Sequence, residues 1–356
     1  MPSKLWPIVL LFAALFPGAA RAHAPAHPPS PPPRIIAIGD LHGDHDAWIA
    51  IARAAGAVDG KGHWAGGRAV LVQVGDIVDR GPASLAIIHD LMRIEKEARR
   101  RGGRVVVLIG NHEAMNMIGD LRYVHPGEYA AFADSGSERR RSQLYVAQRV
   151  AIEAAARTRD PSVSPAAAKD EWLKATPLGK IEHRLAWRPD GPLGRWTLGH
   201  AAVVKIGDSL FVHGGLSSAF ANLTIEEINR RVAVALNARD EAPTAIINDP
   251  MGPLWYRGLV TRDDPDALPP PTGAPPRPTI AQEVDQMITA YGVKRIVVGH
   301  TPSRAGIIAD LGGKLWRIDS ANSSYYGGPP SYLEITGDRV TTHKVPRPPE
   351  ASKGGK

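Results

Sequence analysis

Five short polar motifs, each directly after a run of apolar residues, are the strongest constraint on this 356-residue chain. They are Gly39–Gly43 (GDLHG), Gly75–Gly81 (GDIVDRG), Gly110–Glu113 (GNHE), His213–Gly215 (HGG) and Gly299–Pro302 (GHTP). Branched apolar runs bounded by glycine are typical of strands that are buried on both faces. Open α/β sheets bind their ligands at the carboxyl ends of such strands, so we expect the five motifs to meet there. The sequence therefore predicts an α/β fold with one composite site.

The motifs carry side chains that bind metal ions. The candidate ligands are Asp40, His42, Asp76, Asn111, His213 and His300. In an extended segment, residues two apart point to the same side, so Asp40 and His42 can reach one ion. The chain has no cysteine, and an all-oxygen and nitrogen site suits Mn, Fe or Zn. A lone Asp or His is more often structural, but six in glycine-flanked turns favour a site for two divalent or trivalent metal ions. Two ions about 3.5–4 Å apart stabilise an in-line displacement and activate a shared water.

Three further residues of these motifs are candidates for catalysis. In an extended turn over GNHE, neighbouring side chains diverge, so we expect His112 to face the substrate and not the metal bound by Asn111. Asp79 would hold its imidazolium ready to protonate a leaving oxygen. The planar guanidinium of Arg80 can grip phosphate through two hydrogen bonds. Glu113 is expected to hold its loop together through hydrogen bonds and to take no part in the chemistry.

Together the motifs resemble the signature of the phosphoprotein phosphatase superfamily of calcineurin-like metallophosphoesterases, over roughly residues 34–345. The resemblance implies a four-layer β-sandwich flanked by helices, and hydrolysis of phosphate esters by direct attack of a metal-bridging hydroxide. It implies that the first metal is bound by Asp40, His42 and Asp76, and the second by Asp76, Asn111, His213 and His300. His112 would be the acid paired with Asp79, and Arg80 would hold phosphate.

Finer features are similar to the Shewanella-like branch of these phosphatases, in segments 111–116, 119–124 and 252–258. On this basis the further substrate-binding candidates are Arg257, Arg122 and Tyr326. The alternative to substrate binding is that Arg257 stacks on Trp255 or faces solvent. Two departures from the family pattern stand out. GHTP replaces GHxH, which removes one ligand from the first metal. Ala321 and Asn322 replace a Gly-Met pair, which leaves the shape of the loop around Tyr326 open.

Outside the motifs, the chain divides into segments of different composition. Residues 1–22 have the charged start, the apolar stretch and the Ala20-Arg21-Ala22 cleavage pattern of a signal peptide. A retained membrane anchor is the alternative, but the apolar stretch is too short to span a bilayer. A Pro-rich tether over 23–33, a largely helical cap insertion over 115–200 and a disordered tail over 346–356 are predicted. We expect a periplasmic or secreted protein without stable membrane insertion after cleavage.

The formal net charge of +7 attracts phosphorylated or acidic substrates, although arginine clusters are also typical of solvated helix faces. The chain has no recognisable nucleic-acid-binding motif. The predicted function is a dimetal phosphomonoesterase that acts on phosphorylated proteins or small phosphoesters. A diadenosine-polyphosphate or other nucleotide hydrolase is an alternative, disfavoured by the expected export. The alternative that is not an enzyme is a metal-free binding module that keeps the fold and has lost the site.

Overall fold

The computed structural model describes residues 33–263 and 277–347. The strands in these ranges are β1 Ile35–Ile38, β2 Val70–Gln73, β3 Arg104–Val107, β4 Val203–Ile206, β5 Ser209–Val212, β6 Arg295–Val298, β7 Ile308–Asp310, β8 Leu315–Arg317, β9 Ser331–Thr336 and β10 Arg339–Lys344. The α-helices are α1 His45–Ala54, α2 Ser84–Arg100, α3 Asn111–Ile118, α4 Pro126–Ala130, α5 Ser137–Arg159, α6 Pro165–Ala175, α7 Lys180–Ala186, α8 Pro192–Leu198, α9 Ile225–Ala238 and α10 Ile280–Tyr291. Among the described helices, none has the length and apolar character needed to cross a membrane.

The strands form two five-stranded mixed sheets. The first has the order β10-β9-β1-β2-β3, and the second has the order β4-β5-β6-β8-β7. In the first sheet β1, β2 and β3 are parallel, and in the second β5, β6 and β8 are parallel. Each group of parallel strands therefore ends at one edge of its sheet, which is where the sequence places the motifs.

One apolar cluster lies between the two sheets. It includes Ala37, Val72 and Leu108 from the first sheet side and Phe211 and Val297 from the second. Successive strand side chains point to opposite faces, so the neighbours of these residues face outward and join the helices in a larger cluster. Both faces of the central strands are thus buried, which explains their continuous apolar sequences.

Helices cover the outer faces. Ile36 and Ile38 of β1 are buried in the same cluster as Trp48 of α1, and Val298 of β6 shares that cluster with Met287 of α10. The result is a helix–sheet–sheet–helix arrangement, which confirms the predicted four-layer sandwich. Two of the helices begin at a capping threonine, whose hydroxyl accepts a backbone N–H three residues later and satisfies an otherwise unpaired donor (Thr224 for α9 and Thr279 for α10).

The segment 115–200 holds the helices α4 to α8, in agreement with its Ala-rich and Arg-rich composition. Helix α5 is unusual because its 23 residues bury only Ser137 and Ala156. Val146 and Val150 are 74% and 78% exposed on it. The rings of Tyr145 on α5 and Trp172 on α6 contact each other, at 5.5 Å between centroids. This cap therefore packs through its ends and its partner helices, and leaves one long face open.

Two sequence predictions need adjustment. The GNHE motif was expected to be an extended turn, but Asn111 begins helix α3, so Asn111 and His112 diverge by helical geometry. The disordered tail was placed from residue 346, yet Arg347 donates hydrogen bonds to the carbonyl oxygens of Asn322 (2.8 Å) and Ser323 (3.3 Å). Residues 1–32, which include the predicted signal peptide and all but the last residue of the predicted Pro-rich tether, and the remaining tail (348–356) lie outside the described residues.

Candidate metal centre

The strand ends bring the five motifs together. Ile38 pairs with Gln73 and Gln73 pairs with Val107, so β1, β2 and β3 end in register. Val212 and Val298 likewise pair at the ends of β5 and β6. The residues that follow these ends carry all six predicted ligands, and all six are buried: Asp40, His42, Asp76, Asn111, His213 and His300.

Several of these loops hold a left-handed backbone. The φ angles are 44° at His42, 54° at Asp76, 69° at Asp79, 63° at Arg80 and 66° at His300. Residues other than glycine seldom adopt this conformation, and such strained positions cluster at functional sites. The fold therefore maintains an unfavourable backbone at five positions of the predicted catalytic motifs.

The carboxylate of Asp76 lies at the middle of the cluster. Its Oδ2 is 3.3 Å from Nε2 of His213, 3.8 Å from Nε2 of His42 and 3.8 Å from Nε2 of His112. Within the described residues, two groups of three side chains could each hold an ion, and Asp76 belongs to both. It is joined by His42 and His112 in one group and by His213 and His300 in the other. Asp76 thus has the position that a bridging carboxylate requires.

The ring nitrogens are oriented as metal ligands. His42 places Nδ1 3.0 Å from the carbonyl of Val78, and His213 places Nδ1 2.9 Å from the carbonyl of Val74. A carbonyl only accepts hydrogen bonds, so each Nδ1 carries the proton and each Nε2 presents its lone pair to the centre. Among the described residues, Nε2 of His300 is buried without a hydrogen-bond partner. This donor set fits two ions of the predicted hard or borderline kind.

The charges at the centre also suit cations. Burial, followed by the charges of Asp319 and Asp76, raises the pKa of Asp40 well above its usual value. Burial, followed by repulsion from His112, lowers the pKa of His42 to about 3, which keeps its imidazole neutral. Neutral imidazoles and crowded carboxylates are the forms that a bound metal ion stabilises.

Two glycines let the ligand loops approach each other. A Cβ on Gly110 would lie 2.2 Å from Oδ1 of Asp76, and one on Gly299 would lie 2.5 Å from Oδ1 of Asp40. Any side chain at these positions would push a ligand carboxylate out of place. This contact explains the glycine that precedes Asn111 and His300 in their motifs.

Glu113 joins two of the loops. Its Oε2 accepts hydrogen bonds from the backbone N–H of Asp76 (2.9 Å) and Gly110 (2.8 Å), and its Oε1 accepts one from Ile77 (2.8 Å). The side chain is buried and faces away from solvent. It therefore fixes the position of Asp76 and has the loop-holding contacts expected from the sequence.

His112 lies against Asp79. Its Nδ1 is 2.6 Å from Oδ2 of Asp79, and its Nε2 faces Asp76. Burial opposes the charged ring, but the charges of Asp76 and Asp79 outweigh it and raise the pKa of His112. Asn116, one turn further along α3, donates to Oδ1 of Asp79 (2.9 Å) and orients it. Sequence reasoning missed Asn116, although a helix at GNHE would have placed it on the face of His112.

Tyrosine rings surround Arg80. Its guanidinium carbon lies 4.5 Å from the ring centroid of Tyr123, 5.1 Å from that of Tyr325 and 5.2 Å from that of Tyr326. No carboxylate of the described ranges forms an ion pair with it, and its Nε is buried without a hydrogen-bond partner. A cleft of about 690 Å³ opens beside Arg80 and His42. The side chain is therefore available to an anionic ligand in this cleft.

The three weaker candidates differ in position. Tyr326 contacts the ring of His42, at 5.4 Å between centroids, and so belongs to the site. Arg257 lies close enough to His300 for its charge to lower the pKa of that residue, after the larger effects of burial and His213. Arg122 is 61% exposed in its side chain and pairs with Asp120 at 2.7 Å. Arg122 was expected beside the phosphate-binding site, but its neighbour Tyr123 contacts Arg80 there instead. The sequence did not single out Tyr123.

The unusual loop 319–328 keeps a defined shape. Ala321 is left-handed, with a φ of 56°, so a methyl group occupies a conformation that glycine favours. Asn322 is buried, donates to the carbonyl of Asp40 (3.0 Å) and accepts from the backbone N–H of Ser331 (2.9 Å). The replacement of the Gly-Met pair thus ties the Tyr326 loop directly to the first metal-ligand loop.

A buried carboxylate and imidazole centre at the joined edges of two sheets, with an arginine beside it, defines a metal-dependent hydrolase of anionic esters. The comparisons with known proteins agree, because the model of the calcineurin-like phosphoesterase family matches residues 33–304. The chain belongs to this family, whose members use a dimetal centre, and it is a phosphoesterase.

Two similar curated proteins come from eukaryotes. Shewanella-like protein phosphatase 2 of Arabidopsis thaliana is 32% identical, over 87% of this chain and 78% of its own length. Shewanella-like protein phosphatase 1 of Plasmodium berghei is 27% identical, over 86% of this chain and 73% of its own. A cold-active protein-tyrosine phosphatase of a psychrophilic Shewanella species has a similar fold, with a TM-score of 0.63 and 24% identity over 88% of this chain and 81% of its own.

Proposed function

We propose that this phosphoesterase is a dimetal-dependent phosphomonoesterase that removes phosphate from phosphorylated proteins. The proposal rests on the arrangement of three side chains at the metal centre, those of Asp76, His112 and Arg80. Asp76 is in contact with imidazoles on both sides, His112 points its Nε2 to the same carboxylate, and Arg80 reaches the adjoining cleft without an ion-pair partner.

Each group has a role in ester hydrolysis. Metal ions, when bound by the six ligands, would supply electrostatic stabilisation and an activated water. Manganese, iron or zinc fits the donor set. Arg80 would bind two phosphate oxygens and set the ester in line. His112, held by Asp79, would protonate the leaving oxygen from Nε2.

The rim of the cleft favours a phosphorylated aromatic residue. Tyr325 is 58% exposed and Tyr123 is 36% exposed, and both rings flank Arg80. An incoming phenyl ring can pack against such faces in an offset or edge arrangement. The Arabidopsis relative is a protein phosphatase, which supports a phosphorylated protein as the substrate. The Shewanella neighbour is a protein-tyrosine phosphatase, which supports phosphotyrosine.

A substrate panel tests the proposal. Phosphotyrosine, phosphoserine and phosphothreonine peptides of one sequence are compared with nitrophenyl phosphate and diadenosine tetraphosphate, with metals quantified in the same sample. We expect metal-dependent hydrolysis of the peptides, fastest for phosphotyrosine. Preferential hydrolysis of diadenosine tetraphosphate would favour a nucleotide hydrolase. Full activity with less than one metal per chain would contradict the dimetal proposal.

We further propose export, with a mature protein that begins at His23. The proposal rests on the sequence of residues 1–22, which lie outside the described residues. Intact-mass measurement of the native protein tests it, since cleavage after Ala22 gives a defined mass. Retention of residues 1–22 in the native protein would contradict it.

A further inference from the structure

A second opening lies between the cap and the sandwich, away from the ligand loops. It has a volume of about 570 Å³. It is lined by Gly119, Leu121, Leu144, Trp172, Thr176, Lys180, Ile181, Arg184, Leu185, Arg188 and Arg239. These residues come from α5, from α6 and α7 with the segments that follow each of them, from the end of α9 and from the loop after α3, and we refer to the opening as the cap groove.

The cap groove is lined by four cationic side chains and by no carboxylate. Arg239 donates to the carbonyl oxygens of Met117 and Ile118, at the end of α3. Lys180 donates to the carbonyl of Ala175, at 2.7 Å. Within the described ranges, these two cations and Arg184 have no ion-pair partner, while Arg188 pairs with the exposed Asp190 at 3.1 Å. Three of the four cations are therefore without an ion pair within the described ranges, although Glu241 lies close enough to Arg184 for its charge to raise the pKa of that residue.

The cations repel one another. Burial, followed by the charge of Arg239, lowers the pKa of Arg184. Burial, followed by the charge of Arg184, lowers the pKa of Lys180. An anionic ligand would relieve this repulsion, because opposite charges favour the protonated forms.

Apolar side chains line the same groove. Leu185 is 49% exposed and directly follows Arg184 on α7. Trp172 and Leu144 line the groove from α6 and α5. Apolar surface beside unpaired cations suits a ligand that carries both an apolar side chain and carboxylates. A small inorganic anion would leave the apolar part unused.

The cap groove is connected to the catalytic site by a short segment. Gly119 and Leu121 line the groove, and Tyr123 contacts both Arg80 and His112. Four residues of extended chain span at most about 14 Å, so Gly119 and Tyr123 are close in space. A peptide with its phosphorylated residue at Arg80 can therefore reach the groove with a few more residues.

We propose that the cap groove binds an acidic stretch of the substrate protein, which contains one large apolar residue and lies a few residues from the phosphorylated position. This proposal rests on the proposed protein phosphatase function. The cationic side chains of the groove complement the acidic residues of such a peptide, and Leu144, Trp172 and Leu185 can pack against its apolar residue. The groove would then select among phosphoproteins by sequence, while the metal centre reads only the phosphate.

The test compares three phosphotyrosine peptides with one core sequence. One has no extension, one carries Glu-Glu-Phe-Glu-Glu and one carries Lys-Lys-Phe-Lys-Lys, with linkers of about three to nine residues, or ~10–30 Å. The readout is the ratio of kcat/KM for each extended peptide to that for the plain peptide. Fluorescence anisotropy of the unphosphorylated acidic peptide measures binding without catalysis.

We expect the acidic extension to lower KM and so raise kcat/KM about tenfold. The basic extension should lower kcat/KM. The variant with both Arg184→Gln and Arg188→Gln should lose most of the acidic advantage. Leu185→Asp, at a half-exposed position outside the apolar core, should lose it as well. Arg149→Gln is the matched control, because Arg149 is 63% exposed on α5 and lies outside the groove.

Equal kcat/KM for all three peptides, together with no binding of the acidic peptide, would overturn the proposal. An acidic advantage that survives in both groove variants would also overturn it, since another surface would then bind the extension. Failure of the wild type to hydrolyse any phosphopeptide would refute the proposed function instead. Anisotropy would still decide whether the groove binds the acidic peptide.

Discussion

Nδ1 of His112 lies 2.6 Å from Oδ2 of Asp79, and both side chains are buried. The pair directs Nε2 of His112 to the carboxylate of Asp76, at 3.8 Å. This arrangement suits a general acid, but the same Nε2 also lies close enough to His42 and Asp76 to bind a metal ion.

Replacement of His112 by Asn separates these two roles. If His112 is the acid, the variant should keep its metals and lose about 10²–10⁴ in kcat for esters with poor leaving groups. The loss should be much smaller for nitrophenyl phosphate, whose leaving oxygen needs no proton. Rates on both esters and metal content per chain are measured together. Loss of a metal ion from the variant would instead identify His112 as a ligand.

Asp76→Asn tests the bridging position. Asparagine tolerates the left-handed backbone that Asp76 adopts, so the loop should be preserved. A neutral amide cannot balance the charge of two ions, and activity should fall by more than about a hundredfold. Metal analysis and turnover of a phosphopeptide are the measurements. Near-normal turnover with two metals bound would exclude a bridging role.

Arg257 and Arg122 form a matched pair of candidates for phosphate binding. Arg257 lies near His300, whereas Arg122 is largely exposed and paired with Asp120. Arg257→Lys keeps the charge but loses the two-point grip, so KM for phosphomonoesters and the inhibition constant of phosphate should both rise. Arg122→Lys should change neither value by more than about twofold, since exposed ion pairs contribute little. The opposite result would reverse the two assignments.

Asn322→Ala tests the link between the Tyr326 loop and Asp40. The variant leaves the carbonyl of Asp40 and the N–H of Ser331 buried without this partner, at about 1–3 kcal/mol each. We therefore expect the free energy of unfolding in urea to fall by about 2–6 kcal/mol. Asn248→Ala is the control, because the Asn248 side chain likewise makes two hydrogen bonds with backbone groups, here as donor to the carbonyl oxygens of Asp240 and Ala242, but at a partly exposed position. Similar losses in both variants would show that Asn322 has no special role.

The sequence predicted the sheet and the ligand loops well. Apolar runs such as Ile35–Ile38 are buried on both faces, and only the strand structure satisfies that pattern at such short length. The glycines and charged residues that follow these runs mark strand ends without ambiguity. The six candidate ligands are therefore brought together by topology that the local pattern already implied.

The surroundings of the ligands were less predictable. Arg122 was preferred because arginine is the residue type that a phosphate site favours. The contact of its neighbour Tyr123 with Arg80 depends on how the cap folds back on Arg80. Asn116 was missed because GNHE was taken as a turn and not as the first turn of a helix. Arg347 contacts the loop at Asn322, 25 residues earlier in the chain, and no local pattern predicts that contact. The misses at Tyr123 and Arg347 concern tertiary contacts, whereas the miss at Asn116 comes from a local conformation.

The candidate metal ligands come from both sheets, with Asp40, His42, Asp76 and Asn111 after strands of the first and His213 and His300 after strands of the second. Ions held by this set would act as cross-links between the two halves of the sandwich. Binding energy is then also folding energy, and a hundredfold excess of metal over its dissociation constant contributes about 2.7 kcal/mol to stability. A chelator should therefore lower the melting temperature of the protein as well as its activity. The resistance of this enzyme to heat would thus depend on metal supply in its compartment.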